Sequence, residues 1–169
     1  MKRLSSVLML VVLGVLVSGG SLIAKPDKPF KGNAEGTSTA AEDVSPYVFS
    51  TTSKGILIGS HLGRGTYEGA SEQDWFVVGG QFGVVSGGII FTAANGDMLL
   101  AEADEECSFV FEVGSGGTTY MSTITYDIVG GTGRFENATG RFTSESLHIR
   151  VGVGPSDDVS SWSGTINLN

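Results

Sequence analysis

TTYMSTITYDIVGGTGRFENATGRF, residues 118–142, holds the two readings between which the fold is decided. In its first half Tyr120, Ile124, Tyr126 and Ile128 take one side of a two-residue alternation. Thr119, Thr123, Thr125 and Asp127 take the other, and Met121 and Ser122 break the pattern locally. One apolar side and one wet side at period two is the pattern of a half-buried β-strand. The second half crowds glycines around Arg134 and Phe135, as either a phosphate cradle or the corner of a sheet would. A dinucleotide cradle needs a third glycine at fixed spacing and a helix behind it, whose N-terminus holds the anion. Gly131-Thr132-Gly133-Arg134-Phe135-Glu136 lacks that glycine, and residues 137–142 form no amphipathic helix. The corner is therefore the reading adopted.

The pattern occurs twice. Gly63, Gly65, Glu68 and Ala70 repeat the spacing of Gly131, Gly133, Glu136 and Ala138, with Tyr67 in the place of Phe135. Each copy follows a strand candidate. Both are expected to be structural corners, with glycine supplying unusual backbone angles and the aromatic folding back to plug an end of the sheet. Gly140 closes the second copy. Asn95-Gly96, with Asp97 behind it, lies between the apolar runs 88–94 and 98–103 and is the strongest hairpin signal in the chain.

Further strands are expected at 32–41, 56–62, 75–82, 107–113, 141–151 and about 162–168, with a loop at 42–46. No segment after residue 25 carries a 3.6-residue apolar stripe. Short strands punctuated by turns, in a chain with 26 glycines, predict an all-β fold, a single antiparallel barrel of about eight strands whose last strand pairs near the first.

The start of the chain has another character. Met1-Lys2-Arg3, an apolar run from Leu4 to Val17 and small residues from Ser18 predict a secretory signal peptide over 1–24, cut between Gly20 and Ala24. The run falls short of the roughly 20 residues of a membrane span. A secreted or periplasmic protein with no stable membrane anchor after processing is expected. Residues 25–34 read as a flexible linker and 35–169 as the barrel domain. Without Lys2 and Arg3, 8 Lys+Arg face 18 Asp+Glu, a net −10. Such an acidic surface repels polyanions, so nucleic acid is not expected as a partner.

Cys107 is the single cysteine, so no internal disulfide forms and the apolar core must carry the fold. It is read as a buried, inert thiol. Glu102, Asp104, Glu105 and Glu106 could supply oxygens to calcium, but their spacing is not that of an EF-hand, and a solvated hairpin end is the reading preferred. His61 and His148 are far apart and nothing in the sequence orders them into a zinc or catalytic pair; His61 reads as a hydrogen-bonded structural residue. No cofactor and no metal is assigned.

Thr92-Ala93-Ala94-Asn95-Gly96-Asp97, His61-Leu62-Gly63-Arg64 and the Gly130–Gly140 motif together resemble a group of secreted bacterial proteins of unknown function, related to the allene oxide cyclase-like, calycin-like barrel. The resemblance spans roughly 35–168. It implies a barrel and transfers no catalytic residue. The expected function is a non-enzymatic barrel that binds a small apolar ligand or serves as an accessory domain. The alternatives are an isomerase or cyclase acting in the barrel cavity, and a structural or homo-oligomerising module. His61, Glu102, Tyr120 and Tyr126 are the candidate ligand-facing residues.

Overall fold

In the computed structural model, residues 26–45, 48–77, 81–105, 108–113, 119–150 and 154–168 are described. The expected leader and Cys107 lie outside them. Among the described residues there are nine strands: β1 (Lys28–Ser45), β2 (Val48–Gly59), β3 (Gly63–Val77), β4 (Gln81–Thr92), β5 (Met98–Ala103), β6 (Phe109–Glu112), β7 (Thr119–Gly131), β8 (Thr139–Arg150) and β9 (Ser156–Asn167). Every pairing is antiparallel.

The sheet closes. β1 pairs with β9, and β3 pairs with β4, so no edge of the ring is left open. β5 and β6 both lie between β4 and β7, one after the other, and together make the eighth stave. Ser108 splices the break between them: its hydroxyl accepts from Thr125 N at 3.1 Å, and its carbonyl accepts from Val84 N at 3.3 Å. Outside the same seam, Arg141 clasps Asp104 and Asp127.

Three sequence expectations shift. The linker assigned to 25–34 is a strand from Lys28 onward, because Phe30 points inward and is fully buried against Phe142 and Phe91. The loop assigned to 42–46 is ladder as far as Ser45, with a register shift between Glu42 and Ser45. The run 75–82 is not one strand: β3 ends at Val77 and β4 begins at Gln81.

The two glycine motifs also part company. In the second, Gly133–Phe135 form a single 3-10 turn, and Phe135 folds under the barrel with no exposed surface. In the first, the reversal is over by Leu62, and Gly63, Gly65 and Tyr67 belong to β3. Tyr67 is therefore an inward-facing barrel residue, not an end plug; Leu62, also fully buried, takes the plugging place.

At the plugged end the Asn95-Gly96 hairpin and the second glycine motif are knitted together. Thr132 N donates to Met98 O at 2.8 Å, and Met98 N donates to Thr132 Oγ1 at 2.9 Å. Asp97 accepts from the Asn95 amide at 2.8 Å and from Arg134 N at 3.3 Å, bonds that hold its carboxyl below the usual carboxylate range, with the Arg134 charge assisting. Gly133 sits in the left-handed region at φ 55°, and a Cβ there would lie 2.1 Å from the Asp97 carboxylate. Gly96, at φ 88°, has open space beside it.

These two glycines separate backbone strain from collision. Gly96→Ala is expected to cost about 1–2 kcal/mol, the left-handed penalty alone. Gly133→Ala is expected to cost visibly more in urea unfolding, because the methyl also displaces Asp97. Equal losses would refute the pinned corner.

Candidate functional site

The inward residues divide the barrel into a filled half and a hollow half. Toward the plugged end Phe30, Phe91, Phe142 and Trp162 pack with ring centroids 5.2–6.1 Å apart, and Tyr126 stacks on Phe142 at 5.1 Å. Above these rings lies a cavity of about 500 Å³ that reaches to Ala40, Thr51 and Arg150. That is the size of a small-molecule site. Phe91, Trp162, Ile89, Ile124 and Val110 supply its apolar surface.

The polar wall comes from β7, β8, β9 and β1, where the ladder brings inward residues into rows. Tyr120 is paired with His148, His148 with Asp158, and Asp158 with Gly36. One row further in, Ser122 is paired with Ser146 and Ser146 with Ser160, whose hydroxyl donates to Ser146 at 2.8 Å. Cross-strand neighbours on one face are within side-chain reach, diagonals included for long side chains. His148 uses both. Its Nδ1 lies 2.7 Å from Asp158 Oδ1 and its Nε2 lies 2.9 Å from Ser122 Oγ. A carboxylate only accepts, so Nδ1 carries the proton, and Nε2 of the neutral ring accepts the Ser122 hydroxyl.

Asp158 is only 3% exposed. Ser38 also donates to its Oδ1, at 3.1 Å, while Oδ2 has no hydrogen-bond partner among the described residues. Arg150 Nε and Trp162 Nε1, both on the cavity wall, are likewise buried without one. Buried polar atoms are nearly always paired, so the exceptions gathered on these three wall residues stand out.

Glycine makes room for the opposite wall. Tyr67 is paired with Gly55, and Gly55 with Gly36. A Cβ on Gly36 would lie 2.5 Å from the Tyr67 hydroxyl, and one on Gly55 would lie 2.7 Å from its ring. The ring thus lies flat across β2 and β1 toward Asp158. Burial, and then the Asp158 charge, push the Tyr67 phenol up to about 12. Burial, with Tyr67 second, pushes the Tyr126 phenol up as well.

Of the four candidates read from the sequence, Tyr120 and Tyr126 line the cavity. Glu102 does not: period two puts Ala101 inside and turns Glu102 to solvent. His61 sits in the β2–β3 turn at the plugged end, at φ 62°, with Nε2 3.2 Å from Pro29 O. Ser122, His148, Asp158, Arg150 and Ser38 are the residues that sequence reasoning did not gather. Their signal was present as polar residues in phase with the core: Ser122 with Tyr120 and Ile124, His148 with Phe142, and Asp158 with Trp162 and Ile166.

No family model, no curated protein and no solved structure matches this chain. The site is therefore read from its own geometry.

A phenol whose pKa is raised on folding stabilises the fold below the unfolded value near 10 and loses that contribution as pH climbs through the folded value. Stability is therefore expected to fall between about pH 10 and 12 as the folded state resists phenol ionisation. Tyr67→Phe should flatten that fall, and should remove one late-ionising phenol from an ultraviolet alkaline titration. A variant with the wild-type pH profile would contradict the burial of Tyr67 in the barrel wall.

Proposed function

We propose that this barrel binds one small molecule with an apolar body and a polar group, held in the cavity between the aromatic floor and the His148–Asp158 wall. The observation that carries the reading is the cavity itself, about 500 Å³ lined on one side by Phe91, Ile89 and Trp162 and on the other by the polar residues Ser122, Ser146, His148 and Asp158. Eight-stranded barrels either fill their interior with side chains or hold one ligand. This interior is filled only as far as the five rings, and the remaining space has the mixed lining that fixes a ligand by shape and orients it by a few polar contacts.

Native mass spectrometry of protein purified from its own host should find a bound small molecule. An anilinonaphthalene sulfonate dye, apolar with one anionic group, should bind the stripped protein at one site. Ile89→Trp narrows the cavity from β4 and should weaken the dye at least tenfold without lowering the melting temperature. Unchanged dye binding in that variant would overturn the reading.

A second reading, self-association, is favoured by the outer face of the same sheet. Met121, Leu147 and Val159 are direct register neighbours across β7, β8 and β9, and are 36%, 36% and 58% exposed. Contiguous apolar side chains on an outer surface often mark an interface. Light scattering of the wild type should give a mass above that of one chain, reduced by Val159→Glu. A single-chain mass at high concentration would count against it.

A further inference from the structure

We infer that Ser122 is a nucleophile, activated by His148 and oriented through Asp158, and that the cavity cleaves a small carboxylic ester. The inference rests on the ligand-binding reading, because Ser122 is 3% exposed and can be reached only from within the cavity it lines.

Three observations carry it. First, the three side chains form one directed chain, Ser122 Oγ to His148 Nε2 at 2.9 Å and His148 Nδ1 to Asp158 Oδ1 at 2.7 Å. Nucleophile, base and orienter within hydrogen-bond reach is the geometry by which such sets are recognised on unrelated folds. Second, the parts are held by three adjacent strands of a closed sheet, β7, β8 and β9, and not by loops. Ser38, from β1, fixes the carboxylate from behind. Third, a cation lines the same cavity. Arg150 stands two residues beyond His148 on the same inward face. A guanidinium there offers donors to negative charge on a carbonyl oxygen, the contribution that dominates acyl transfer.

The reaction balances without further components than water. Ser122 Oγ attacks the ester carbonyl carbon while its proton passes to His148 Nε2. The bond from that carbon to the alcohol oxygen breaks, and the alcohol leaves with the proton from His148. Water then attacks the acyl carbon, giving up one proton to His148. The bond to Ser122 breaks, Ser122 takes that proton back, and the carboxylic acid departs. Asp158 holds the imidazole in the tautomer that accepts at Nε2 and offsets the charge of the imidazolium.

The full chain is tested with p-nitrophenyl butyrate as substrate and diisopropyl fluorophosphate as covalent probe, in parallel with dye binding to the wild type. Release of nitrophenol should be catalytic. Peptide mass spectrometry should place one phosphoryl adduct on Ser122 of the folded protein and none after denaturation. Ser122→Ala should lose the adduct, and Ser122→Ala or His148→Gln should lower turnover about a thousandfold or more, while Asp158→Asn lowers it by about a hundredfold or more. Ser163→Ala, on the outer face of β9, should behave as wild type. Dye binding without turnover or adduct would overturn the nucleophile and leave the binding reading standing. An adduct on another residue, or turnover that survives Ser122→Ala, would overturn it too. Failure of the wild type to bind dye, substrate and probe would remove both. Should Ser122→Ala not fold, the position of the wild-type adduct decides the matter.

Discussion

A carboxylate almost out of reach of water must be compensated where it stands, and Asp158 is that carboxylate in this barrel. Taking such a charge out of water costs several kcal/mol unless hydrogen bonds replace the lost hydration. Ser38 and His148 supply two of them, both at Oδ1. Each arrives from a neighbouring strand, so the requirement of one side chain ties together β1, β8 and β9, the place where the ring closes first strand to last. The compensation is also lopsided, since Oδ2 is left over. Replacing the set by apolar residues of similar volume would often be neutral or stabilising. A buried charge that stability does not demand is best understood through the cavity it faces.

The two ends of the barrel solve different problems. At one end Phe135 and Leu62 fill the opening and the Asn95–Asp97 hairpin is bonded to the 132–134 turn, so that glycine-rich segments serve closure and carry no chemistry. The aromatic rings stacked above them form a rigid floor. Toward the other end the inward residues become small or polar, Ser38, Ser122, Ser146, Ser160, and the glycines at 36 and 55 let Tyr67 lie against the wall without filling the space. A cavity persists there because the side chains that face it are too short to meet across it, and a well-packed floor prevents the fold from collapsing into the gap.

Fold and site were unequally legible in the sequence. The alternation of Tyr120, Ile124, Tyr126 and Ile128, the Asn95-Gly96 hairpin and the strand expected at about 162–168 led to strands, turns and a closed all-β ring, because local pattern and global fold agree there. The pattern reversed in the hollow half. On β8, Ser146, His148 and Arg150 point inward while Leu147 and Ile149 face out. On β7, Met121 and Ser122 looked like a break in the rhythm, yet they keep it with polarity inverted. A rule that assigns apolar residues to the inside fails wherever the inside is a site. Which of the two histidines mattered could not be read from spacing, since His148 meets Ser122 and Asp158 only through the β7–β8–β9 register. The repeated glycine pattern misled in a different way: the same spacing serves a tight turn at Gly133 and an extended strand at Gly65 and Tyr67.

The divided eighth stave has a bearing on how this architecture could vary in length. β5 and β6 keep their partners on both sides although the register to β7 shifts between Ala103 and Phe109, because Ser108 supplies bonds that a continuous ladder would have made. Residues added or removed at that splice leave the seven unbroken strands in phase. A single residue added within β8 would turn every side chain beyond it to the opposite face, and His148 with them. The seam is thus the part of the wall where the chain can grow or shrink without touching the polar row it encloses.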